Sequence, residues 1–155
     1  MNILDFAMEF ESKSREYYQQ LANEVEIKEL KDLFNSLAED ELRHIEVIRD
    51  MKEGSKVEFA SKHLGEANDA FYELLGKEVT PQYLTKLIAL DKALAFEDES
   101  MAFYKEKSES AATATERLVF FRLYFEEKKH YEVLNRLIEY TTYLETSLET
   151  AEFQN

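Results

Sequence analysis

Glu41 and His44 stand three residues apart, and the same pair returns as Glu127 and His130 at an offset of 86; Glu11 and Glu97, thirty residues upstream, share that offset. On a helix, residues at i and i+3 project to one side, so two such pairs facing each other would collect carboxylates and imidazoles in one place. Four carboxylates in a helical core are unsupportable alone, because each unpaired buried charge costs several kcal/mol. Two divalent cations would balance them, with two neutral imidazoles completing the coordination. Mixed oxygen and imidazole donors suit iron, with manganese or zinc as substitutes, and suit calcium or magnesium poorly. The expected metal ligands are Glu11, Glu41, His44, Glu97, Glu127 and His130, with two metal ions between them. No catalytic residue beyond these ligands and no separate cofactor-binding residue is expected. Any one of these glutamates could instead edge an apolar stripe with its carboxylate in water, and a lone Glu-x-x-His on an acidic helix is usually a surface pair. The matched spacing of all six is what favours a shared site.

The elements that would position them are helices. Apolar periodicity predicts four long ones, at roughly 2–24, 26–52, 82–110 and 113–143, and each candidate glutamate falls inside an apolar stripe. The first stripe is Leu4, Ala7, Glu11, Ser14, Tyr18, Leu21, Ala22 and Val25; the second is Leu30, Phe34, Leu37, Glu41, His44 and Ile48. The third runs Leu87, Leu90, Leu94, Glu97, Met101, Tyr104, and the fourth Phe120, Leu123, Glu127, His130, Leu134, Leu137. Residues 4–53 align with 90–139 without a gap, and fourteen of those fifty positions are identical. The chain therefore reads as one helical hairpin duplicated about a shared centre. Short joints make each hairpin antiparallel, while the segment from Gly54 to Pro81 is long enough to cross the bundle and to hold a short capping helix over Glu66–Leu75. The last dozen residues continue the fourth helix or fray. The expectation is an all-α four-helix bundle, one domain over residues 1–155.

Composition agrees and narrows the function classes. Three Gly and one Pro in 155 residues leave few turn formers. Thirty-three acidic against nineteen basic residues give a net charge of −14, spread along the chain, which disfavours nucleic acid and anionic membranes as partners. The absence of Cys removes disulfides and thiolate chemistry. No signal-like N-terminus and no long apolar run is present, so a cytoplasmic protein without a membrane span is expected. Phe10, Phe34, Phe96, Met101 and Phe120 read as core, His63 as a surface residue, and Glu24, Glu26 and Glu29 as a solvated face.

Glu11, Tyr18 and Leu37-Ala38-Glu39-Asp40-Glu41-Leu42-Arg43-His44, echoed by Glu97, Tyr104, Glu127 and His130, resemble the ferritin-like di-iron carboxylate superfamily, most closely its rubrerythrin branch. The resemblance covers about residues 3–140. It implies that Glu41 and Glu127 bridge two irons, with Glu11 and His44 terminal at one and Glu97 and His130 at the other. It implies a non-haem di-iron oxidoreductase that reacts with hydrogen peroxide or dioxygen, takes electrons from a donor protein such as a rubredoxin, and forms a homodimer. Two features depart from the branch. Leu94 stands where rubrerythrins carry an additional carboxylate, leaving a symmetric set closer to that of bacterioferritin, and the four Cys of the usual rubredoxin module are missing. A ferroxidase and iron-storage protein is therefore an alternative, and a non-catalytic metal-binding bundle, docking through Phe71-Tyr72-Glu73-Leu74-Leu75, a third. Tyr18 and Tyr104, two turns beyond Glu11 and Glu97, either hydrogen-bond a ligand carboxylate or serve as ordinary core aromatics.

Overall fold

A computed structural model describes residues 2–58, 64–76 and 90–153. Its elements are α1 (Ile3–Glu24), α2 (Lys28–Glu53), α3 (Leu64–Leu75), α4 (Leu90–Glu109) and α5 (Ala114–Phe153). The described residues are all helix and short connections, giving the expected ferritin-like bundle. Helix α1 packs along α2 and α4 along α5, and the hairpins meet through α1 against α4 and α2 against α5.

Local chemistry sets the helix ends. The Asn2 side chain accepts from the Leu4 N–H at 2.8 Å, satisfying one of the unpaired donors of the first turn of α1. Gly54 ends α2 in the left-handed region at φ 73°, with its N–H and that of Ser55 returning to carbonyls of the last turn. Thr113 caps α5 by accepting from the Glu116 N–H at 3.1 Å.

The six-residue motif divides the core into two apolar layers. One joins Tyr18, Leu21, Leu33, Phe34, Leu37, Leu134 and Leu137 to the underside of α3, where Ala67, Ala70, Phe71 and Leu74 are buried. The other holds Ala7, Val47, Ile48, Tyr104, Val119, Phe120 and Leu123. Helix α3 is thus the expected cap, with Tyr72 and Leu75 outside.

Several details differ from the sequence reading. The fourth helix passes the periodicity bound near 143 and runs to Phe153, forty residues or about 60 Å, so the last dozen residues continue it rather than fray, with no Gly or Pro after Pro81 to stop it. Phe10, Phe96 and Met101 are half-buried rather than in the core, Phe10 and Phe96 meeting edge to face on the α1/α4 seam. Glu29 is buried in the first turn of α2, where unpaired backbone N–H groups favour a carboxylate; it is not part of a solvated face. His63, Pro81, Leu87 and the predicted start of the third helix at 82 lie outside the described residues. No described helix is long and apolar enough to cross a membrane.

Candidate metal centre

Each ligand candidate sits at the middle of its helix, on the stripe that faces the opposite hairpin. Glu11, Glu41 and Glu127 are 0 % exposed, and His44, Glu97 and His130 no more than 2 %. All six come together. Among the described residues, one oxygen or nitrogen from each of Glu11, Glu41, His44 and Glu127 lies within 4.8 Å of the others, and the same holds for Glu41, Glu97, Glu127 and His130. Glu41 and Glu127 belong to both groups, so the two clusters share a pair of carboxylates, one from each hairpin.

Both imidazoles aim Nδ1 into the cluster. His44 Nδ1 lies 2.7 Å from a Glu127 oxygen and 3.5 Å from Glu11, while His130 Nδ1 lies 2.9 Å from Glu41 and 3.4 Å from Glu97. These are close approaches without hydrogen-bond angles. Both oxygens of Glu41 and of Glu127, one each of Glu11 and Glu97, and Nδ1 of both histidines have no hydrogen-bond partner among the described residues. Buried polar atoms are almost always satisfied. A set of lone pairs converging on two points is the pattern that cations resolve, and the donor types match iron or manganese.

Further partners surround the cluster and cross between hairpins. Tyr18 donates its hydroxyl to Glu97, and Tyr104 donates to Glu11 at 2.6 Å. Seven residues span about 10 Å of helix, too far for either tyrosine to reach the glutamate of its own helix. Burial, then the neighbouring Glu97 or Glu11 charge, pushes both phenols well above the ordinary tyrosine range, so they stay protonated as donors. Asp40 accepts from His130 Nε2 at 2.9 Å. That holds a proton on His130 Nε2, so Nδ1 is the nitrogen that can give up its own proton to a cation in the cluster. Glu126 stands at the repeat-equivalent position, with an oxygen 3.3 Å from His44 Nε2. Spacing alone did not single out Asp40 and Glu126: each precedes a glutamate common to both groups, off the apolar stripe. The signal was the acid at both positions of the 86-residue offset, hidden because one is Asp and the other Glu.

Electrostatics show what protons do in the metal's place. Burial, with Glu11 and Glu97 beside it, raises the Glu41 carboxyl well above the usual range, and burial with Glu11, Glu41 and Glu97 raises Glu127. Burial alone would lower the imidazoles, yet the surrounding carboxylates, Glu11 foremost at His44 and Glu97 at His130, raise both well above the ordinary value. Burial opposes ionisation of Glu11 as well, but Glu41, His44 and Tyr104 outweigh it and bring this carboxyl down to about 2. Protons on Glu41, Glu127, His44 and His130 thus neutralise the metal-free cluster, and metal ions must displace them.

Leu94, where a rubrerythrin carboxylate was expected to be lacking, packs half-buried against the first apolar layer, leaving the ligand set symmetric. The sequence matches the family model described as Rubrerythrin over residues 2–138. No curated protein and no solved structure matches it. The matched region spans both hairpins and every residue of the buried cluster, and the chain belongs to the rubrerythrin family.

Proposed function

We propose that the chain is a di-iron oxidoreductase that reduces hydrogen peroxide or dioxygen with electrons from an external donor protein, a rubredoxin being the obvious class. The observation that carries this reading is the buried set of unsatisfied carboxylate oxygens and imidazole nitrogens at the centre of the bundle. In this reading Glu41 and Glu127, common to both groups, would be shared by the two ions, with Glu11 and His44 holding one and Glu97 and His130 the other. The ions, when bound, would supply a two-electron redox couple to the oxidant. The protein does the rest. Tyr18 and Tyr104 hold the terminal carboxylates by hydrogen bonds, Asp40 presents the His130 lone pair inward, and the apolar layers above and below keep water from competing for the ligands. Manganese or zinc would fit the same donors. One domain over 1–155, a homodimer and a cytoplasmic setting belong to this reading.

The symmetric ligand set, with Leu94 half-buried against the first apolar layer, favours ferroxidase and iron storage as a second reading. That reading requires a large hollow assembly; light scattering that finds a monomer or dimer eliminates it. For the main reading, anaerobic iron loading is expected to give two ions per chain and peroxide- or dioxygen-dependent oxidation. Protein that takes up no iron, with Glu41→Ala and Glu127→Ala as stable as the parent, would overturn it.

A further inference from the structure

The two halves of the α1/α4 seam carry the same backbone and different fillings. On the Tyr104 side, Phe6, Ala7, Phe10, Ser100, Phe103 and Tyr104 line a cavity of about 190 Å³, with Glu99 at its rim. Phe6 and Phe103 form its outer wall, ring centroids 5.7 Å apart. The repeat places Lys92, Ala93, Phe96, Ser14, Tyr17 and Tyr18 at the matching positions on the other side. There Lys92 replaces Phe6, and its ammonium lies over the rings of Tyr17 and Phe96, 4.9 and 5.7 Å from their centroids. The lysine stem and its ammonium thus lie across the seam at the position that Phe6 leaves beside an open cavity.

The cavity backs onto the metal centre. Tyr104 gives its ring to the cavity wall and its hydroxyl to Glu11, and Ala7 and Ser100 each lie about one helical turn from Glu11 and Glu97. Its walls are mainly aromatic and aliphatic carbon, with the Ser100 side chain and the exposed Glu99 as the polar groups beside them. An apolar cavity of roughly 150 Å³ stays dry and accepts xenon or benzene, whereas water or a peroxide needs several polar partners to enter.

We propose that the cavity bounded by Phe6, Phe10, Phe103 and Tyr104 is a binding site for a small uncharged apolar molecule, dioxygen being the one the adjacent centre would use. It serves the Glu11 half alone, because Lys92 closes the matching position on the Glu97 half. Naming dioxygen rests on the di-iron reading above; the cavity and its one-sidedness do not.

Xenon-pressurised crystals of the full chain test it, with xenon as the probe. The parent should show anomalous density beside Tyr104 and none beside Tyr18. Phe6 and Lys92 are both exposed enough to be exchanged without threatening the fold. Phe6→Lys should abolish the xenon peak, and Lys92→Phe should create a second one beside Tyr18. No peak in the parent, or equal peaks on both sides, would overturn the proposal. In iron-loaded protein, Phe6→Lys should slow oxidation by dioxygen several-fold while leaving two ions bound and the rate with peroxide unchanged; an unchanged dioxygen rate removes the assignment of dioxygen. Xenon bound as expected in a protein that oxidises nothing would leave the cavity standing and sink the di-iron reading.

Discussion

The first and second hairpins carry the same three-residue motif, Glu11, Glu41 and His44 or Glu97, Glu127 and His130, in two different settings. Around the ligands the correspondence is close: Glu11 and Glu97, Glu41 and Glu127, His44 and His130, and Tyr18 and Tyr104 occupy equivalent positions and find equivalent partners. One residue further out it fails. Asp40 makes a true hydrogen bond to His130, whereas its counterpart Glu126 only approaches His44. At the surface it disappears: Asp32, Asn35 and Glu39 on α2 face the acidic side of α3, while their counterparts Leu118, Phe121 and Phe125 leave an exposed apolar stripe on α5. The duplication is kept where charge must be balanced between hairpins and lost where each half meets something different. That gradient predicts a centre symmetric in its ligands and asymmetric in access and tuning.

The largest effect tests the symmetric part. Chelating both metals from loaded protein should lower stability by about 4 kcal/mol per ion at a thousandfold excess over Kd, about 8 kcal/mol in all and on the order of 20 °C in Tm. A melt unchanged by chelation would break the comparison at its root. Next comes pH. Glu41, Glu127, His44 and His130 are all raised in the folded metal-free protein. Their contribution is therefore fully present below the unfolded values, 4.5 for the carboxyls and 6.5 for the imidazoles, and is lost as pH rises through the folded values. Glu11, lowered to about 2, acts oppositely, its contribution fading as pH falls from 4.5. Metal-free protein should thus melt highest near about pH 4 to 5 and progressively lower toward pH 9, while stabilisation by added metal grows over the same range. Melts that rise from pH 5 to 8 without metal would contradict this proton balance.

Smaller effects sharpen the asymmetric part. Asp40→Asn should weaken metal binding roughly 10- to 100-fold, and Glu126→Gln less, as read by calorimetric titration with manganese. Equal losses would mean that the two approaches are energetically alike despite their geometry. Tyr104→Phe and Tyr18→Phe should each cost about 1 to 2 kcal/mol in denaturant melts, since each strips a buried carboxylate oxygen of its only hydroxyl donor.

Much of this was legible in the sequence for a physical reason. A helix repeats every 3.6 residues, so a glutamate inside an apolar stripe is a contradiction that only a partner in the core resolves, and the 86-residue offset supplied that partner. Contacts across the bundle were not legible. Spacing places Tyr18 on the face of Glu11, yet its hydroxyl reaches Glu97, because the antiparallel pairing of α1 with α4 brings residues two turns apart in register to one level. Asp40 and Glu126 were hidden for a similar reason: their partners are histidines on the opposite hairpin. The fate of Phe6 and Lys92 was equally invisible, since what each covers depends on how two seams of the same design are filled.

The central claim is that the six side chains form one dinuclear site. Anomalous scattering at the iron and manganese edges, from crystals grown without added metal, tests it most directly. The account predicts two peaks flanked by Glu41 and Glu127, one beside Glu11 and His44 and the other beside Glu97 and His130. A single peak elsewhere, or no peak in crystals that also take up no iron on soaking, would contradict it.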